Sequence, residues 1–202
     1  MDKLIHTHKK AQLVILIDPD KFNLKLIDLA DKSAVSFFLV GGSTLKKNNI
    51  GKVVSQIKER SKKPVIIFPG NEKQICKNAD GLLVLSLISG RNPEFLIGKH
   101  VKAAISIKKN KLKTLPVGYI LVNGNKISAT QKITKTKALH SSNSKLIVAT
   151  AIAGELLGLK AIYLEAGSGA PREVNSKIIK QVKNNIQLPL FVGGGIDSLK
   201  KA

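Results

Sequence analysis

Residues 163–171, YLEAGSGAP, place a carboxylate at the end of an apolar run and then almost dispense with side chains. Glu165 has the chemistry of a general base or of a group that binds a hydroxyl. Gly167 and Gly169 bare the backbone to an anion, and Ser168 offers a hydroxyl to a phosphate oxygen. A carboxylate beside a bound phosphate is repelled by it. The pairing therefore calls for a ligand that also carries a hydroxyl, whose proton Glu165 could take. A glutamate that pairs with a lysine or caps a helix is the competing reading, and the residues leave the two even. FVGGGI, residues 191–196, is a second turn of this kind, with a helix from about Ser198 aiming its positive end at the same point. Tight turning at positive φ is its alternative use. IDPDKF, residues 17–22, ends another apolar run with Asp18 and Asp20, which alternate on an extended chain and so face the same way. One or two carboxylates plus substrate phosphates are the usual holders of Mg²⁺. A cap or turn role beside Pro19 competes, more strongly for Asp20 than for Asp18. Ser43 either gives the same ion a neutral oxygen or caps the next helix, and its spacing favours the cap.

These groups need elements to hold them. Seven continuous apolar runs, at 13–18, 37–42, 64–70, 81–86, 118–124, 161–167 and 188–195, have the pattern of parallel strands covered on both faces. Stretches of helical period lie between them, at 23–31, 45–61, 92–109, 144–159 and 172–185. That alternation predicts α/β architecture in one domain spanning 1–202, with no linker or low-complexity tract. The polar and glycine residues gather after the strands and not before them. That is the arrangement of a (β/α) barrel, whose site is built at the C-terminal strand ends. Eight strands close such a ring. Seven are visible, so the reading expects a chain that stops a helix and a strand short of closure.

Composition narrows the function. Lys+Arg number 34 against 13 Asp+Glu, a formal charge of +21, which attracts anions: nucleic acid, anionic lipid surfaces or phosphorylated substrates. The lysines are scattered, as on solvated helix faces, and no Trp and two Tyr provide poor stacking platforms for nucleic acid. A basic protein bound to nucleic acid or a membrane surface would leave the decorated strand ends unexplained. Another phosphate-binding barrel enzyme, an isomerase or synthase, remains as an alternative. A single cysteine, Cys76, excludes an intramolecular disulfide, and the apolar run near the N-terminus is too short for a signal core or a membrane span. A cytoplasmic location is expected.

Six motifs in order, ILIDPDKF, FFLVGGSTL, IIFPGN, LISGRNPEFLIGKHV, YLEAGSGAP and FVGGGI, resemble the geranylgeranylglyceryl phosphate synthase family, in particular its bacterial members, over essentially the whole chain. The resemblance implies a modified TIM (β/α)8 barrel. It implies transfer of a prenyl group, geranylgeranyl first among candidates, from its diphosphate to the 3-hydroxyl of sn-glycerol 1-phosphate, for ether lipids. It implies Mg²⁺ on Asp18 and Ser43, which moves Ser43 from cap to ligand. It implies glycerol phosphate held by Tyr163, Leu164, Glu165, Ala166, Gly167, Ser168, Gly169, Gly194 and Gly195, with Glu165 and Tyr163 catalytic and Glu165 the base. A homo-oligomer, transient contact with a membrane surface and no nucleic-acid partner are the accompanying expectations. Two features depart from the family. Its archaeal lysine two residues before the first Asp is Leu16 here, with Lys21 the nearest substitute, and its last strand with a phosphate-contacting loop is absent. The prenyl chain needs an apolar groove. Phe37, Phe38 and Phe68 either line it or pack the core, and core packing is the favoured role.

Overall fold

Uninterrupted apolar runs do become parallel strands in the computed structural model, which describes residues 11–46, 49–123, 127–167, 169–196, 198 and 201. Its strands are β1 (Leu13–Ile17), β2 (Val35–Val40), β3 (Val65–Ile67), β4 (Gly81–Leu87), β5 (Thr114–Asn123), β6 (Leu139–His140), β7 (Ala161–Glu165) and β8 (Leu190–Gly193). The helices are α1 (Leu24–Asp31), α2 (Ile50–Arg60), α3 (Lys99–Lys109), α4 (Ala129–Thr134), α5 (Ser144–Leu156) and α6 (Ser176–Asn185). A π-helical turn, Glu94–Gly98, leads into α3. The residues group into two compact units, 1–84 with 99–115, and 85–98 with 116–202.

In the first unit β1, β2, β3 and β4 pair in that order, all parallel. Asn23 starts α1 by accepting the Lys25 N–H on its side chain, which satisfies one of the free donors at a helix start. α2 buries Ile50, Val53, Val54 and Ile57, the i, i+3, i+4, i+7 stripe that turns one helix face to a core. Expected from residue 45, this helix begins only at Ile50, where the stripe begins. Ile57 is fully buried among Phe38, Val54, Val65 and Ile67. Ile57→Ala should therefore cost roughly 2–5 kcal/mol, read as a lowered urea midpoint with an unchanged slope.

The second unit is built on β5, β7 and β8, parallel and adjacent, with β6 on the C-terminal end of β5. α5 and α6 cover it, and Ile120, Ile147, Ile162, Leu164, Ile178 and Val182 form its core. β6 and α4 lie outside the seven runs and five helical stretches read from the sequence. β6 has only two residues. α4 has six and is fixed by a capping box, in which Ser128 Oγ accepts the Gln131 N–H and Gln131 Oε1 accepts the Ser128 N–H. The helix expected from about Ser198 falls mostly outside the described residues. Among the described residues no helix is long and apolar enough to cross a membrane.

Candidate functional site

Register assembles the site of the second unit. β5, β7 and β8 align Tyr119 with Tyr163 and Tyr163 with Phe191, then Leu121 with Glu165 and Glu165 with Gly193. The two rows are two residues apart on each strand, so they share a face. Three stacked rings make the first row: Tyr119 and Tyr163 centroids are 5.5 Å apart, Tyr163 and Phe191 6.0 Å. Glu165 stands above them at the strand's end and is 7% exposed.

Among the described residues the carboxylate pairs with no lysine and caps no helix, so neither alternative use of Glu165 is found there. Its Oε1 accepts the Gly167 N–H at 2.7 Å, and the carboxylate also accepts the Tyr119 hydroxyl. Burial raises the Glu165 pKa to about 7, against the lowering effect of these two hydrogen bonds. Burial and the nearby Glu165 charge push both phenols upward, so Tyr119 and Tyr163 stay protonated. A buried carboxyl that exchanges its proton near neutrality is what base catalysis at pH 7 requires.

The glycines around it are dictated by space and by φ. A Cβ on Gly193 would sit 2.0 Å from the Tyr163 hydroxyl. One on Gly194, at φ +80°, would sit 2.3 Å from Glu165 Oε1 and 2.7 Å from Gly167 N. Part of what was read as an anion cradle is thus the close approach of the β8 turn to the β7 turn. Gly167, at φ +105°, brings the β7 turn against Ser128 in front of α4. Gly169, at φ +69°, has open space where its Cβ would lie, and Gly195 is half-buried at φ +70°. Tyr163, Leu164, Glu165, Ala166, Gly167, Gly169, Gly194 and Gly195 accordingly lie together around the β7 and β8 ends; Ser168 lies outside the described residues.

In the first unit the ends of β1, β2 and β3 are tied to one another. Gln74, buried, donates to the Gly42 carbonyl and accepts the Gly70 N–H, and a Cβ on Gly41 would fall 1.8 Å from the Phe68 carbonyl oxygen. Asp18, directly after β1, starts the 3-10 turn Pro19–Lys21, its Oδ1 accepting the Asp20 N–H at 3.0 Å. Asp20 reaches instead to the Lys46 N–H at 2.7 Å. The turn role expected chiefly of Asp20 therefore belongs to Asp18. A Cβ on Gly42 would lie 3.7 Å from Asp18 Oδ1, which sets the carboxylate beside the turn that carries Ser43. Ser43 caps no helix, since α2 starts at Ile50 with Asn49 before it. One half-buried carboxylate and a hydroxyl in the adjoining turn fit Mg²⁺, which takes one or two protein oxygens and fills its octahedron with substrate oxygens and water. No cluster of three His, Cys, Asp or Glu occurs among the described residues. Lys21 is exposed and Leu16 is 46% exposed on β1. Phe37 and Phe38 are buried, and Phe68 is half-buried.

Tyr119, Thr130, Ser128 and Gln74 adjoin the candidate site residues and are not singled out by the sequence. For Ser128 a signal existed, the S-x-x-Q capping pattern with Gln131.

The profile of the PcrB family matches residues 6–202. A geranylgeranylglyceryl phosphate synthase of Zunongwangia profunda is 44% identical over 100% of this chain and 90% of its own. Wild-type GGGPS from Thermoplasma volcanium superposes with a TM-score of 0.88 at 32% identity, over 98% of this chain and 80% of that one. The Thermoplasma acidophilum (S)-3-O-geranylgeranylglyceryl phosphate synthase, in complex with substrate sn-glycerol-1-phosphate, gives 0.88 at 28% identity, over 96% and 81%. The fold class is thus the TIM-like α/β fold expected from the motifs.

Proposed function

Because the chain belongs to the PcrB family and is a prenyltransferase of the geranylgeranylglyceryl phosphate synthase type, we propose that it joins a geranylgeranyl group to the 3-hydroxyl of sn-glycerol 1-phosphate with Mg²⁺. The observation that carries this reading is Glu165: a buried carboxyl at a glycine-walled strand end, held by the Gly167 N–H and Tyr119, with a pKa of about 7. Such a group can bind the acceptor's hydroxyl while uncharged enough to tolerate its phosphate, and can take the hydroxyl proton. The complex of a relative with sn-glycerol-1-phosphate supports the acceptor.

Gly167, Gly169, Gly194 and Gly195 bind the phosphate through bare backbone, Ser168 adds the hydroxyl read from the sequence, and Tyr163, stacked between Tyr119 and Phe191, braces the glycerol. The acceptor oxygen bonds to the prenyl C1, the C1–O bond to diphosphate breaks with its electron pair leaving on oxygen, and the hydroxyl proton passes to Glu165. Asp18 and Ser43 would hold Mg²⁺, which supplies neutralisation of the departing diphosphate's charge. Glu165, anionic at that moment, also faces the cationic character developing at C1. The +21 charge draws both anionic substrates and gives the protein an affinity for anionic membrane surfaces, where a prenylated product resides. The protein works in the cytoplasm as a homo-oligomer without nucleic acid.

The direct test is incubation with sn-glycerol 1-phosphate, Mg²⁺ and prenyl diphosphates of several lengths, followed by mass analysis. A geranylgeranylated glycerol phosphate is expected, and absence of any prenylated product would overturn the reading. Asp18→Asn tests the metal assignment. Its carboxamide oxygen can still accept the Asp20 N–H, so the turn and the melting temperature should hold. Activity at limiting Mg²⁺ should fall by more than the roughly 10–100-fold that follows loss of a mere supporting partner of a ligand. Normal turnover there would remove Asp18 from the metal site.

A further inference from the structure

We propose that Tyr119 is the positioning residue of the general base: its hydroxyl, itself held by Thr130 of α4, fixes the Glu165 carboxylate in its ionised, proton-accepting orientation. The inference rests on the prenyl-transfer reading above and extends it to a residue on the strand beside the one that carries Glu165 and the first glycine motif. Tyr119 is 8% exposed, and its ring is locked by the stack on Tyr163 at 5.5 Å. Register places it diagonally from Glu165, one row down and one strand across, a separation that an aromatic side chain spans. Its hydroxyl bonds both the Glu165 carboxylate and the Thr130 side chain.

A phenol has one proton to give. An ionised carboxylate has none, so Tyr119 must donate to Glu165 and must accept from the Thr130 hydroxyl. The direction of the chain is therefore set whenever Glu165 is in its basic form. Thr130 is in turn fixed by α4, whose start is clamped by the Ser128–Gln131 capping box and packed by Ser128 against Gly167. The carboxylate is thus held from two sides, by the turn that follows it and by a helix that arrives from a different part of the chain. Hydrogen bonds donated to a carboxylate favour its charged form against burial. Of these two donors, removing the hydroxyl leaves the Gly167 N–H.

Tyr119→Phe keeps the ring and deletes the hydroxyl. In the full-length enzyme, carbon-13 NMR of labelled glutamate, assigned against Glu165→Gln, should show the Glu165 midpoint rise by about one unit, a tenfold tighter hold on the proton. The acid limb of kcat/KM for sn-glycerol 1-phosphate should move the same way, and kcat should fall roughly tenfold with prenyl diphosphate KM unchanged. Thr130→Val should shift both midpoints in the same direction by less. A folded Tyr119→Phe enzyme with the wild-type carboxyl titration and acid limb would overturn the proposal. If that variant does not fold, an unshifted Thr130→Val does so instead. Should the wild-type enzyme make no prenylated product, the function reading fails by itself, and the carboxyl titration still decides the case of Tyr119.

Discussion

Gly194→Ala should lose about two orders of magnitude or more in kcat/KM while remaining folded. Its new methyl would stand 2.3 Å from Glu165 Oε1, 2.7 Å from Gly167 N and 2.9 Å from the Gly167 oxygen. Two of the three neighbours are backbone and cannot step aside. The third is the base, so the carboxylate moves and its bond to the Gly167 N–H breaks. A misplacement on the order of 1 Å at a reacting group costs about 10²-fold. A larger side chain, Gly194→Val, adds bulk at the glycine turns, and glycerol phosphate affinity should then fall far more than prenyl diphosphate affinity. Calorimetric titration with each substrate reads this, and equal loss of both would mean general misfolding. Gly158→Ala is the control for backbone strain. It has φ +81° but open space around its Cβ, so it should cost only the ~1–2 kcal/mol of a left-handed alanine and leave catalysis intact.

The same collision explains what could be read from the sequence and what could not. Glu165, Gly167 and Gly169 are neighbours in the chain, and their chemistry was legible as a motif. That Gly194 is shaped by Glu165, and not only by a phosphate, depends on the pairing of Glu165 with Gly193 across 28 residues, which no local pattern encodes. Tyr119 sits inside the apolar run 118–124 and looks like core. Only the β5–β7 register makes it the partner of Glu165. The seven strands were visible because a strand covered on both faces is uninterruptedly apolar. β6 and α4 were not, since two residues carry no periodicity and α4 is held by its cap more than by an apolar stripe. Asp18 and Asp20 show how near-identical residues part company. Asp18 precedes the tight turn and Asp20 lies within it, and with Pro19 at the first turn position the Asp20 N–H is satisfied by Asp18. That frees Asp20 to reach Lys46.

Charge was legible only in total. The ion pairs among the described residues, such as Lys58–Asp80, Arg60–Asp28 and Lys99–Glu72, are partly exposed and contribute about 0–1 kcal/mol each. Stability therefore rests on the two apolar cores, and the surplus of lysine acts through the field it sets up for anions.

Glu165→Gln should slow the chemical step by roughly two to four orders of magnitude, the contribution of a positioned acid–base group, and yet make the protein more stable above pH 7. The carboxamide keeps the size of the side chain and an oxygen for the Gly167 N–H, but it cannot take a proton. Glycerol phosphate should bind as before or slightly tighter, because an anion next to the phosphate is gone. The stability effect follows from the raised pKa. The folded state holds the Glu165 proton up to about pH 7, whereas the unfolded chain releases it near 4.5. Between those values the folded state binds more protons, so wild-type stability falls as pH rises from about 4.5 to about 7 and levels off above. At about 1.4 kcal/mol per unit the loss is on the order of 3 kcal/mol. The Gln variant should lack that slope, matching wild type near pH 5 and melting several degrees higher at pH 8, given about 2–4 °C per kcal/mol for a chain of this size. Single-turnover rates and melting curves at pH 5 and pH 8 on the same preparation read both effects. A wild-type rate in the variant would leave Glu165 as a positioning group only. A lower melting temperature at pH 8 would mean that the carboxylate is stabilised where it lies and has no reason to behave as a base near neutrality.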